Sequence, residues 1–347
     1  MELKSLKHPA LAPAYARIAE LSALPLWEIL GDVVGEAPVP LGVPHVWRYA
    51  EMRPLLLDAG ARISAAEAER RVLALKNPAL DRPGISQTLF AGLQLVMPGE
   101  VAPAHRHAAG ALRFVLESGG GYSAVEGERC LMRRGDLITT PSWTWHDHEN
   151  TGDAPMIWLD GLDVPMVNFF GTPFGEEHPD DQQPILRPDD ASVARWGSGM
   201  RPYGEVHGHP WSPILSYPYD RSRAALMGAS RSGTPHPQHG YKMTYANPMD
   251  GGHILPTIAA FLQFLPAGFE TAPWRSTEAT VLVAVEGEGT ALVGGAEIAF
   301  AASDVIVAPN WTTLRLQAAC DTVLFSFSDR AAQQRLGFWR EDRNPVV

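Results

Sequence analysis

The spacing of apolar positions changes several times along the chain, and each change marks a different kind of structure. Residues 9–21 combine good helix formers with apolar side chains spaced near 3.6, which predicts a helix. A second helix is expected over Ser64–Leu75, opened by a serine with Glu67 three residues on, a capping-box pattern. Pro78 and Pro83 end it, because proline removes a donor and clashes with the preceding turn. Between these helices, Pro38 to Trp47 is proline-rich and predicts a segment wrapping over something else.

From about Gln87 to Asn168 the apolar runs shorten and β-branched and aromatic residues rise. Glycine or proline recurs at Pro98, Gly119, Gly127, Gly135, Pro141 and Gly152, the texture of short strands joined by regular turns in a sandwich or barrel. Residues 171–248 form a proline-rich crossover, too long for a bare linker and expected to be either functional or packed as a cover. Strand texture returns from Thr257 to Ser328, and a short charged tail follows. The second β segment repeats the first: Val285–Gly289 answers Leu116–Gly120, and Ser303–Trp311 answers Gly135–Trp143. The divisions expected are 1–85, a helical and wrapping segment; 86–170, a first barrel; 171–250, the crossover; 251–330, a second barrel; and 331–347, the tail.

Composition narrows the function classes. The net charge of −11 comes without the clustered Lys and Arg that phosphate neutralisation needs, which argues against nucleic acid. Cys130 and Cys320 are far apart, so neither a disulfide framework nor a thiolate metal site is expected, and a reducing cytoplasm fits. No apolar run approaches the roughly 18 residues of a membrane span. The first eight residues lack the apolar core of a secretory signal. A soluble, cytoplasmic protein is expected.

The chemistry concentrates in His105-Arg106-His107 and Trp143-Thr144-Trp145-His146-Asp147-His148. In a strand, residues i and i+2 share a face. His105 and His107 therefore present paired imidazoles, as do His146 and His148 from a later strand. Neutral imidazole is the commonest protein ligand for Zn, Fe and Cu. Superposing the second β segment on the first, with a one-residue gap, places Trp274, Ser276 and Leu314 where His105, His107 and His146 stand. One barrel is expected to carry chemistry and the other structure. His207-Gly208-His209 is a second HxH pair, but it lies between Gly and Pro with no third partner and reads as loop, like His236 and His239.

The HxH pair, the glycine-rich turns and the Gly135-Asp136-Leu137-Ile138-Thr139-Thr140-Pro141 run before His146 resemble the cupin β-barrel. More narrowly, the segments 105–113, 140–148 and 158–163, with 91–100 and 218–223, resemble the gentisate 1,2-dioxygenase family. That family includes salicylate, 5-nitrosalicylate and 1-hydroxy-2-naphthoate dioxygenases. The resemblance implies a mainly β bicupin, two double-stranded β-helix barrels with an N-terminal helical segment. It implies an Fe(II) oxidoreductase of aromatic hydrocarbon catabolism, usually a homotetramer. Its partners would be a small aromatic acid and O2. Residue by residue, it implies His105, His107 and His146 as iron ligands; Arg113 and His148 on the substrate's carboxylate and hydroxyl; and Gln94, Asp160 and Phe90 lining the pocket. Phe90 has no hydrogen-bond donor, which bears on ring-substituent selectivity. One of Arg70 and Arg71 is a further candidate for the pocket.

The reaction so implied opens the ring between the carboxyl-bearing carbon and its hydroxylated neighbour, giving maleylpyruvate from gentisate. Arg113 supplies a planar fork for a carboxylate. If its strand runs unbroken from His107, its parity faces the interior. His148 shares the parity of His146 and is a candidate to move the phenolic proton, and Asp160 to orient a histidine. Two other readings stand beside this one: a salicylate or substituted-salicylate dioxygenase, and a non-oxidative cupin isomerase or metal-dependent binding protein.

Overall fold

The computed structural model describes residues 8–345. The chain divides into a small unit ending at Val39 and a large unit beginning at Pro40. In the small unit, helices Ala12–Glu20 and Leu26–Val33 are tied by the Tyr15 hydroxyl, which donates to Glu28 Oε1 at 2.6 Å.

The large unit holds two β-barrels of antiparallel strands. The inner sheet of the first runs in the order Ser216–Tyr217, Leu137–Thr140, Ala111–Glu117, Met156–Leu162, Phe90–Val96, Val72–Ala74. Facing it is Gly175–Glu177, Val101–His107, His146–Glu149, Tyr122–Val125, Glu128–Leu131. The second barrel has a matching inner sheet: His45–Trp47, Val305–Ala308, Thr280–Glu286, Thr322–Ser328, Ala259–Leu265, Tyr241–Thr244. The expected mainly β, two-barrel architecture is what the chain adopts.

Because strand side chains alternate, each inner sheet sends one face into its own barrel and the other toward its twin. The shared face is a buried core of Leu93, Leu95, Phe114, Leu159, Val281, Val283, Phe325 and Phe327 with their neighbours. At its centre the Phe114 and Phe325 rings stack 4.1 Å apart with planes 7° from parallel. Gly161 lets the Phe327 ring come against the first barrel's sheet, since a Cβ there would lie 2.8 Å from it.

The repeat extends further than the β segments. Helices Tyr49–Arg62 and Tyr219–Ser232 stand at equivalent places and make equivalent bonds. Tyr49 and Arg53 donate to the Glu117 carboxylate, and Tyr219 and Arg223 to that of Glu286. The backbone N–H of Tyr49 donates to Asp304, and that of Tyr219 to Asp136. Each helix thus bridges both barrels. Likewise Thr88 donates to Asp329 and Thr257 to Asp163.

Several local expectations are corrected. The capping box at Ser64 forms, with Glu67 N–H donating to Ser64 Oγ and Ser64 N–H to Glu67. Yet the helix covers only Ala65–Ala68, because Glu69 takes φ +51° and the chain enters strand Val72–Ala74. Helix Tyr49–Arg62, with Pro54 inside it, lies between the expected wrapping segment and the helix expected at Ser64, where no element was anticipated. The proline-rich crossover also holds the fourteen-residue helix Tyr219–Ser232. No helix among the described residues is long and apolar enough to cross a membrane.

Candidate metal centre and substrate pocket

The metal candidates come from two neighbouring strands of the first barrel's outer sheet. Val101–His107 pairs with His146–Glu149, and His105 stands opposite His146 after a register shift beyond Ala102. The ligand atoms of His105, His107 and His146 lie within 4.8 Å of one another, with ring centroids 4.2 to 5.2 Å apart. In each ring Nδ1 faces a backbone carbonyl: Pro103 at 3.3 Å, Ala109 at 2.8 Å and Thr144 at 2.9 Å. At His107 and His146 such bonds put the proton on Nδ1 and leave the Nε2 lone pair for a metal, whereas Nδ1 of His105 also meets the Arg70 guanidinium. The buried Nε2 of His146 has no protein partner, a costly state for a polar atom unless it binds a ligand. The donor set therefore fits a divalent transition metal.

Burial, the largest cause throughout, pulls all three imidazole pKa values down, that of His105 to about 3 with further help from Arg70, and that of His146 well below the ordinary value. The rings are neutral at physiological pH, as a metal site requires.

Beyond the triad, the interior face of the inner sheet carries the polar residues singled out from sequence. Gly92, Asp160 and Arg113 lie in register across three strands, as do Gln94, Trp158 and Val115. Arg113 is buried, donates to Thr140 Oγ1, and has Nε 3.5 Å from Asp160 Oδ1. Nε makes no hydrogen bond. Glu117, another possible partner for Arg113, is taken by Tyr49 and Arg53 instead. The chain turns at residues 108–110, so strand parity from His107 does not place Arg113; pairing with Met156–Leu162 does. Asp160 accepts from Trp158 Nε1 at 2.8 Å. Burial pushes its carboxyl pKa up to about 6, against the pull of Arg113.

His148 is fully buried. Its Nδ1 lies 2.8 Å from Ser123 Oγ, its ring packs 5.0 Å from Trp158, and its Nε2 has no protein partner. Gln94 is buried with Nε2 likewise unpartnered. Phe90 is half-buried on the same strand face as Gly92 and Gln94, and its ring would lie 3.3 Å from a Cβ on Gly92.

Of the two candidate arginines, Arg70 reaches the site. Its guanidinium touches the His105 ring and donates to the Pro103 carbonyl at 2.5 Å. Arg71 is spent on Glu100 and the Ile63 carbonyl. Sequence reasoning missed Ser123 and Thr140, whose importance appears only when strands pair. A cavity of about 540 Å³ lined by Arg70, His105, His107 and Glu177 reaches two of the three histidines.

The second barrel shows what the site looks like without its ligands. Trp274 and Leu314 form the bridge that His105 and His146 form in the first. Both are buried among Leu282, Ala308 and Leu316, while Ser276, at the place of His107, donates to the buried Glu278.

A cupin domain profile matches residues 92–162. Gentisate 1,2 dioxygenase 1 from Aquipseudomonas alcaligenes is 48% identical over 331 residues, 95% of each chain. The 5-aminosalicylate 1,2-dioxygenase of a Comamonas species is 38% identical over 93% of this chain and 88% of its own. Among solved structures, salicylate 1,2-dioxygenase from Pseudaminobacter salicylatoxidans superposes with a TM-score of 0.90 at 34% identity, over 98% of this chain and 99% of that one. Its gentisate adduct matches with the same TM-score at 32% identity, over 100% and 98%.

Proposed function

The chain belongs to the gentisate 1,2-dioxygenase family, and from that premise we propose that it is a ferrous ring-cleaving dioxygenase acting on gentisate, with maleylpyruvate as product. The observation that carries the reading is the triad itself: three neutral imidazoles whose ligand atoms lie within 4.8 Å of one another, two of them held at Nδ1 by a close backbone carbonyl. His105, His107 and His146 would hold the iron. When bound, iron supplies a centre with open positions at which a chelating hydroxy acid and O2 are brought together.

The chain's own residues do the rest. Arg113 and Arg70 carry two positive charges against the carboxyl of Asp160, a balance that draws an anionic acid into a site of low dielectric. Arg113 offers the carboxylate its uncommitted donors, while Thr140 and Asp160 fix its plane. His148 presents Nε2 to the phenolic oxygen, to take or hold its proton. Trp158 braces both His148 and Asp160. Gln94 turns its free amide toward the ring, and Phe90 gives the ring an apolar neighbour.

A salicylate or substituted-salicylate reading is favoured by one feature, the Phe90 wall, which offers no donor to a ring hydroxyl. We also propose a homotetramer, supported by the exposed apolar side chains Trp27, Leu30 and Val33. A cytoplasmic location is supported by the two free cysteines.

The test is anaerobic titration of the ferrous protein with gentisate, salicylate and 3-hydroxybenzoate. A chelate-specific absorption change is expected with the first two and not with the third, which lacks the adjacent hydroxyl. Identical responses to all three would sink the reading.

A further inference from the structure

A second cavity, of about 440 Å³, lies against the outer side of the first barrel. Its walls are the turn at Trp143 and the crossover segment from Arg187 to Trp211. Three indoles (Trp143, Trp196 and Trp211), two imidazoles (His207 and His209) and the Arg187 guanidinium face it. The His209 ring stacks on Trp211, with centroids 4.5 Å apart and planes 13° from parallel, and His207 stands 5.1 Å from His209. The buried Nε2 of His207 has no partner. Arg187 donates to the Glu126 carbonyl at 3.1 Å and stands 3.8 Å from the Glu128 carboxylate. Half of its side chain remains exposed, so donors are left over.

Flat aromatic walls, a guanidinium with spare donors and a neutral ring nitrogen needing a donor describe the complement of one ligand class. We propose that this cavity is a second, non-catalytic binding site for a planar aromatic acid carrying a hydroxyl group. The Trp211 indole, with His209 on one face, stacks on the ring with the other, Arg187 takes the carboxylate, and His207 Nε2 accepts the phenolic O–H. No metal ligand faces this space, so the adjacent hydroxyl that chelation demands is not required here.

The site is joined to the metal centre by one turn. The Trp143 N–H donates to the His107 carbonyl at 2.8 Å, and the Thr144 carbonyl accepts from His146 Nδ1 at 2.9 Å. Trp143 is held at φ +63°, a conformation costly for an aromatic residue. An acid seated against the turn at residues 142–144, which lines the cavity, therefore bears on the segment that orients two of the three histidines.

The test is equilibrium dialysis of the metal-loaded protein with 4-hydroxybenzoate, which cannot chelate through neighbouring oxygens. Binding of about one equivalent per chain is expected, retained in His146→Ala and weakened roughly ten-fold in His207→Gln and Trp211→Ala. Because Trp211→Ala removes a large side chain, the milder His207→Gln carries the decision where the tryptophan variant does not fold. Absence of saturable binding at millimolar acid would overturn the proposal. So would binding abolished by His146→Ala and untouched by His207→Gln, which would put the acid in the catalytic pocket. A change in association state in either cavity variant, without acid binding to the parent, would instead assign the cavity to a second copy of the chain and equally overturn it.

Discussion

The Ser123 hydroxyl stands 2.8 Å from Nδ1 of His148, with both residues fully buried and directly opposite each other in adjacent strands. Nothing else holds that end of the ring. Ser123 can also donate to Met132 Sδ, 3.4 Å away, which leaves its oxygen free to accept from an Nδ1–H. In that arrangement Nε2 is the acceptor facing the pocket. Ser123→Ala removes this anchor, and a lost buried hydrogen bond of about 1–2 kcal/mol corresponds to a fall in kcat of roughly ten-fold. Metal content should be unchanged, since Ser123 touches no ligand of the triad. Steady-state kinetics beside metal analysis will separate the two; loss of metal in Ser123→Ala would contradict the assignment.

Arg113 is predicted to be irreplaceable by lysine. Its guanidinium spans Thr140 and Asp160, a reach an ammonium cannot reproduce. In Arg113→Lys, kcat/KM for the acid should fall by about a hundred-fold or more, chiefly through KM, as expected for loss of a carboxylate partner worth about 3 kcal/mol. Substrate-concentration series for parent and variant will check this, and an unchanged KM would remove Arg113 from the carboxylate.

Much of the site was legible from sequence because its spacing is a backbone property. His105 with His107, and His146 with His148, share faces through the two-residue period of a strand. The repeat likewise set Trp274 and Leu314 on the places where the structure puts them. What stayed hidden depends on pairing between distant residues. Ser123 matters because it lies opposite His148, and Thr140 because it meets Arg113. Helix Tyr49–Arg62 was obscured by Pro54, and its fixing bonds run to Asp304 and Glu117. Glu69 ended a well-capped helix by turning left-handed, which no helix propensity announces.

The shared core between the barrels predicts a stability effect far from the metal. Phe325 is fully buried and stacked on Phe114, so Phe325→Ala should cost about 3–5 kcal/mol. Chemical denaturation will show it as a lower midpoint. The ferrous affinity of the folded fraction should be retained.

Asp329 gives a pH prediction. It is buried and bonded to Thr88 and Gln333, and burial raises its carboxyl pKa from 3.8 to about 6. Between those values the folded state holds a proton that the unfolded state has released. Asp329 therefore contributes stability at low pH that is lost as pH rises through about 6, a change of about 3 kcal/mol. Asp329→Asn cannot titrate. Its stability relative to the parent should rise by up to that amount as pH goes from about 4 to about 7. A difference that stays flat with pH, measured by denaturant midpoints, would refute the assignment.

The most direct measurement is oxygen consumption by the ferrous-loaded protein given gentisate, followed together with the absorbance of the ring-opened product. One O2 consumed per gentisate opened, with both signals lost in His146→Ala, is the predicted result. No oxygen uptake with gentisate or any salicylate by protein of full iron content, or undiminished turnover in His146→Ala, would contradict it.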